Sequence, residues 1–154
     1  MKKTAYYRGK RTDNKEWVYG VALTDEETGT CEIVTKDNNK KLIAFDVIPE
    51  SVCLSTGEFD SNETMIFTED VVGVSYPSGQ ALIGVVKFGE QKNGTTCFDR
   101  ISPGYFIQWT KCNYEDTRNF ISAFAGWTKR ERYFEVLGNT IDNPELKDMS
   151  LPLY

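Results

Sequence analysis

Histidine is absent from all 154 residues. Without imidazole, the Ser–His–Asp and Cys–His arrangements of nucleophilic hydrolases cannot be built. The usual nitrogen ligand of zinc is missing too. No GxxxxGK[ST] or GxGxxG stretch occurs, so the phosphate-cradling loops of nucleotide enzymes are excluded. Cysteine is sparse and scattered. Cys31, Cys53, Cys97 and Cys112 share no CxxC spacing, which predicts buried or half-buried thiols in preference to a zinc site or disulfides. No apolar run approaches the ~20 residues of a membrane-spanning helix. The opening Met1-Lys2-Lys3-Thr4-Ala5 lacks the apolar segment of a secretory leader, so a cytoplasmic protein with no membrane association is expected.

Positive charge is the minority, with 18 Lys and Arg against 23 Asp and Glu and a net charge of −5. That balance argues against broad, nonspecific phosphate binding, although a local basic patch is compatible with it. What the chain does have is apolar and aromatic material, at 40% and 13%. This is enough for a core without disulfide or metal staples. The aromatics are mostly Tyr and Phe, types that fit pleated surfaces, so the composition tilts toward β-structure.

Period-two runs separated by turn residues recur along the chain, as in an all-β protein. Strands are expected at 4–10, 16–23, 30–35 and 41–47. Thr12-Asp13-Asn14-Lys15, Asp25-Glu26-Glu27-Thr28-Gly29 and Lys36-Asp37-Asn38-Asn39-Lys40 supply the turns, since Asx side chains bond nearby backbone and tolerate left-handed φ. Along the second strand Trp17, Tyr19, Val21 and Leu23 share one face. Pro49 ends the first ladder because it has no N–H to give.

A short strand at 52–55 precedes a polar loop at 57–64, which divides an N-terminal hairpin region, 1–56, from a C-terminal region, 57–154. Further strands are expected at 65–67, 70–76, 81–88, 95–99, 105–111 and 133–137. Turns are expected at Pro77-Ser78-Gly79 and Lys92-Asn93-Gly94, and residues 113–132 read as a loop. Asn143 and Pro144 fit the cap and first position of a short helical turn.

Two groups of residues carry chemistry. Lys2, Lys3, Arg8, Lys10, Arg11 and Lys15 cluster around the first hairpin with Tyr6, Tyr7, Trp17 and Tyr19 interleaved, and Lys3, Arg8, Lys10, Arg11, Trp17 and Tyr19 are the foremost candidates. That mixture could bind single-stranded nucleic acid, with bases stacked on the rings and cations along the phosphates. The plainer alternative is a solvated strand face whose aromatics point into the core. Lys129, Arg130 and Arg132 form a weaker second patch. Glu58, Asp60, Glu63, Glu69 and Asp70 form a carboxylate group. Asp60, Glu69 and Asp70 could serve a metal-assisted hydrolase, but the plainer alternative has Asp60 and Asp70 bonding backbone N–H groups in tight turns. No cofactor is implied.

Three stretches together resemble the YopX family of phage and prophage proteins. They are Arg8-Gly9-Lys10-Arg11 through Glu16-Trp17-Val18-Tyr19-Gly20; then Val47-Ile48-Pro49-Glu50-Ser51-Val52 with Thr56-Gly57, Asp60, Asn62, Ile66-Phe67 and Asp70-Val71-Val72; and Glu135-Val136-Leu137-Gly138-Asn139 ending in Asn143-Pro144-Glu145-Leu146. The resemblance implies a mostly β fold of several coiled antiparallel sheets, with an SH3-like barrel in the C-terminal part. It also implies a phage or prophage origin in a bacterial host, and no biochemical activity. The family usually has glycine where Glu63 and Glu69 stand. If those glycines take a positive φ, a glutamate there is strained.

The expectation that follows is a non-enzymatic accessory protein that binds a protein partner or self-associates as a homo-oligomer. The alternative is a nucleic-acid-binding protein using the basic–aromatic surface.

Overall fold

The computed structural model describes residues 7–75, 81–89, 98–102, 104–112 and 134–148. Its strands are β1 (Tyr7–Lys10), β2 (Trp17–Thr24), β3 (Cys31–Lys36), β4 (Leu42–Val47), β5 (Cys53–Phe59), β6 (Met65–Phe67), β7 (Asp70–Ser75), β8 (Ala81–Phe88), β9 (Phe98–Ser102), β10 (Tyr105–Cys112) and β11 (Phe134–Asn139). Two 3-10 turns, η1 (Pro49–Ser51) and η2 (Pro144–Asp148), are the only helical elements among the described residues. The period-two expectation therefore holds. The turns expected around Gly79 and Gly94, the 113–132 loop and the second basic patch lie outside the described residues. β9 lies later than the strand expected at 95–99. The chain divides into two compact units, Met1–Gly57 and Glu58–Tyr154.

In the first unit the strand order is β4-β3-β2-β1-β5, all antiparallel. Three hairpin-region turns are closed by Asx carboxylates. Asp13 Oδ1 accepts the Asn14 N–H at 2.7 Å, Asp25 Oδ1 that of Glu27 at 2.9 Å, and Asp37 Oδ1 that of Asn39 at 2.8 Å. β2 serves two neighbours in succession. Trp17–Gly20 pair with β1, and Val21–Thr24 pair with β3. At the changeover, a Cβ on Gly20 would sit 2.1 Å from the Val34 carbonyl oxygen. Only glycine allows the two backbones to come this close.

The sheet coils around a small core. Cys31, Ile33 and Val47 are buried, with Tyr7, Val18, Ala22 and Val52 packed on them. The end of β4 returns to the end of β1, where Ile48 N–H donates to the Lys10 carbonyl at 2.8 Å. Ser51 locks this return. Its Oγ accepts the Lys10 N–H at 2.8 Å and donates to the Ile48 carbonyl at 2.6 Å. Cys31 and Cys53 are buried free thiols, as expected for these two positions.

β5 runs on to Phe59, and β6 lies beside it. The second unit's larger sheet has the order β11-β7-β8-β10-β9. β8 is central and covered on both faces, since Leu82, Ile83, Val85 and Val86 are all buried. Leu146 of η2 packs on Val71, Ile83 and Val85. The register shifts at Val136/Gly138, Trp109/Lys111 and Tyr105/Phe106. Such bulges coil a sheet, yet among the described residues β11 and β9 stay as separate edges. Among the described residues both sheets are open, and the architecture is two antiparallel sheets.

Candidate interaction surface

The first unit's sheet has an inner face and an outer face, and the register assigns side chains to each. Lys10 lies opposite Trp17 and Arg8 opposite Tyr19, so these four share a face. Val21 pairs with Val34, and Leu23 with Glu32, on that same face. The inner face carries Val18, Gly20 and Ala22. Tyr19 thus points away from the core and Trp17 is half-buried on the same face, whereas Tyr7 packs on the core as the plainer alternative has it. The reason is volume. The inside of the coil is narrow, and a Cβ on Gly9 would already meet Val47 Cβ at 3.1 Å. Along β2 the smaller Val18, Gly20 and Ala22 therefore face inside, and the larger Trp17, Tyr19 and Leu23 are left outside.

Tyr19, Val21 and Leu23 are 46%, 48% and 54% exposed, in a row along one strand. Trp17, half-buried, begins the row. Two cations flank it. The Arg8 guanidinium lies 4.6 Å from the Trp17 ring centroid, and Lys10 Nζ lies 5.6 Å from it. Cations over an indole face are held by the ring quadrupole. Arg8 is buried at 7% exposure, so it braces Trp17 from beside it on the same face and presents little charge to solvent.

Arg11 belongs elsewhere. It lies over the Phe45 ring at 4.4 Å and pairs with Asp13 through Nη2–Oδ2 at 2.5 Å. The Arg11 hydrogen bond holds the Asp13 carboxyl below its ordinary value of 3.8. Of the six residues read from the sequence as a nucleic-acid surface, Arg8, Lys10, Trp17 and Tyr19 come together, Arg11 is engaged separately, and Lys3 lies outside the described residues.

The carboxylate group resolves into backbone clamps. Asp60 is buried. Its Oδ1 accepts the N–H groups of Asn62 at 2.9 Å and Thr64 at 2.8 Å, and its Oδ2 that of Val136 at 3.0 Å. Asp70, 1% exposed, accepts the Phe67 N–H at 2.8 Å. Glu69 takes an ion pair from Lys87 and a hydrogen bond from the Thr140 hydroxyl. Glu63 and Glu69 have φ of 62° and 67°, the left-handed conformation that the family's glycines imply. Among the described residues, no group of three or more Cys, Asp or Glu side chains is gathered to hold a metal ion.

The sequence placed β4, expected at 41–47, but not its position as an exposed edge. Leu42 is 73% exposed and Ile43 37%, on the strand that ends the first unit's sheet. The signal available was weak: β4 closes the opening meander, and the last strand of a meander is often an edge.

These features define a class: an antiparallel, two-sheet β protein whose acidic residues act as structural clamps and whose outer face carries an apolar–aromatic row. The YopX protein family matches residues 6–148, and the chain belongs to that family. Neither a curated protein nor a solved structure matches it. No helix among the described residues is long and apolar enough to cross a membrane.

Proposed function

We propose that this protein is a non-enzymatic interaction module, binding a protein partner or another copy of itself through the outer face of the first unit. The observation that carries this reading is the exposed row Tyr19-Val21-Leu23, extended by Trp17. Contiguous exposed apolar residues on a rigid sheet are the usual mark of a protein contact. Against a hydrolase built on Asp60, Glu69 and Asp70 stands their engagement. Each already accepts hydrogen bonds or an ion pair from its own unit. The family resemblance suggests work in the cytoplasm of a bacterial host, on behalf of a phage or prophage. It also suggests that the second unit's five-stranded sheet is SH3-like, and the bulges in β10 and β11 support strong coiling there.

A photo-crosslinking residue at Tyr19, in protein expressed in bacteria, tests the reading. A discrete protein adduct is expected, either to a host protein or to the chain itself. It should be lost when Val21 and Leu23 are both replaced by serine in a variant that keeps its thermal midpoint. No protein adduct, or an adduct to nucleic acid alone, overturns the reading. The latter outcome would favour the Lys10–Trp17–Tyr19 group as a stacking surface, and binding would then weaken steeply with salt.

A further inference from the structure

The outer edge of β4 is a second feature, separate from the apolar row. The Asp46 carbonyl turns away from β3 and accepts the Thr12 N–H at 3.0 Å, whereas the Lys41 carbonyl turns the other way, to Asp37 N–H at 2.9 Å. Backbone direction alternates along an antiparallel strand. Leu42 and Ala44 therefore direct their N–H and C=O groups outward, like Asp46. Neither has another backbone partner among the described residues. The edge has few of the usual guards. No proline lies within β4, and its exposed side chains are Leu42, Ile43, Ala44 and a single charge, Asp46. Among the described residues, Thr12 covers the edge at Asp46 and nothing covers it from Leu42 to Phe45.

We propose that this edge pairs with the β4 edge of a second copy of the chain, antiparallel, about a two-fold axis through Ile43. This rests on the self-assembling branch of the proposed function and names its contact. The register follows from the direction of the backbone groups. A two-fold axis normal to the sheet keeps each face continuous, so even-numbered residues must oppose even-numbered ones. Centring on Ala44 would pair Leu42 with Asp46, whose carbonyl is already taken by Thr12. Centring on Ile43 pairs Leu42 with Ala44 of the second copy, exchanging both N–H···O bonds, and symmetry repeats the exchange.

Lys40, in the turn before β4, then comes to the Asp46 end of the second copy, where side chains meet and no backbone bond to Asp46 is needed. Neither side chain has an ion pair or hydrogen bond among the described residues, so the charges are complementary and available. An edge this short falls below the roughly 1,000 Å² of a durable interface. The association is weak and concentration-dependent.

Sedimentation equilibrium over a wide concentration range tests it. Ala44→Pro removes an outward N–H and leaves the ladder to β3 intact. It should weaken dimerisation at least about tenfold, the loss expected when a reciprocal pair of bonds is broken. Asp46→Lys should weaken it, and Lys40→Glu combined with Asp46→Lys should restore it, which covers the case in which the proline variant does not fold. A strict monomer at millimolar concentration overturns the edge pairing, and so does a dimer indifferent to these variants. A dimer that ignores Ala44→Pro yet dissociates on replacing Val21 and Leu23 sinks the edge inference alone and leaves the interaction-module reading standing.

Discussion

The Asp60 carboxylate accepts the backbone N–H of Val136 at 3.0 Å across 76 residues of chain. The same side chain closes the turn that follows β5, through Asn62 and Thr64. One buried carboxylate thus ties a local turn to a distant strand. Hydrogen bonds to a charged acceptor are worth about 1.5–3 kcal/mol, and orphaning a buried donor adds to the loss.

Asp60→Ala is therefore expected to destabilise the protein by about 3 kcal/mol, because the Asn62 and Thr64 donors are exposed enough for water to replace part of the loss. Asp60→Asn should cost less, since it keeps an acceptor. The denaturant midpoint at unchanged slope measures both. An Asp60→Ala protein as stable as the parent would show that Val136 does not need this acceptor.

Glu63 and Glu69 share a left-handed backbone but not a fate. A non-glycine residue there costs about 1–2 kcal/mol in steric strain. Glycine relieves the strain while adding freedom to the unfolded chain. Glu63 is exposed in a turn, so Glu63→Gly should stabilise by up to about 1 kcal/mol. Glu69 is anchored to Lys87 and Thr140, and Glu69→Gly loses both contacts. It should fall below Glu63→Gly by about 1 kcal/mol, the scale of a hydrogen bond with a half-exposed ion pair. Equal thermal shifts for the two variants would show that the Glu69 contacts contribute nothing.

Gly20→Ala places a methyl group against the Val34 carbonyl oxygen. Backbone cannot rotate out of the way as a side-chain tip can. A loss of about 3 kcal/mol or more is expected, toward the severe end of overpacking effects. Gly29→Ala is the control for replacing a glycine where no atom lies within 4 Å of the new Cβ. It meets only the strain of its φ of 71°, so its loss should be smaller. Similar stability loss in both would remove the close-contact argument.

The Arg11–Asp13 pair has a defined pH signature. Asp13 is held below its ordinary value, first by the Arg11 hydrogen bond. A carboxyl with a lowered folded value contributes stability above its unfolded value, and loses it as pH falls through the folded one. The contribution should thus be constant from neutrality down to about the ordinary carboxylate value, and fade only below it. A carbon-detected NMR titration should give an Asp13 midpoint below 3.8 that returns toward it in Arg11→Ala. An unchanged midpoint in that variant would assign the shift to backbone donors instead.

Much of the fold was legible because alternation and turn chemistry are local. Asp13, Asp25 and Asp37 announce their turns, and Asn143-Pro144 announces η2. The shared face of Trp17, Tyr19, Val21 and Leu23 was legible too, but its direction was not. Large aromatics normally mark the core side. Here the coil radius decides, and radius is set by pairing between distant strands, as where Val47 meets Gly9. The alternation of Gly9 on one strand with Gly20 and Ala22 on the next was the available clue to a tight interior. The Asp60–Val136 link and the open edge at Leu42 depend on which strand lies beside which, and no local pattern encodes that.

The two sequestered sulfurs, Cys31 and Cys53, make the first unit its own gauge of opening. A thiol reagent can reach them only when β3 or the start of β5 lifts away. Peptide-resolved alkylation rates at these two positions would follow that breathing directly, with no added dye or label. If the coil opens as one body, both sulfurs react at a common rate; if β5 peels off alone, Cys53 reacts first.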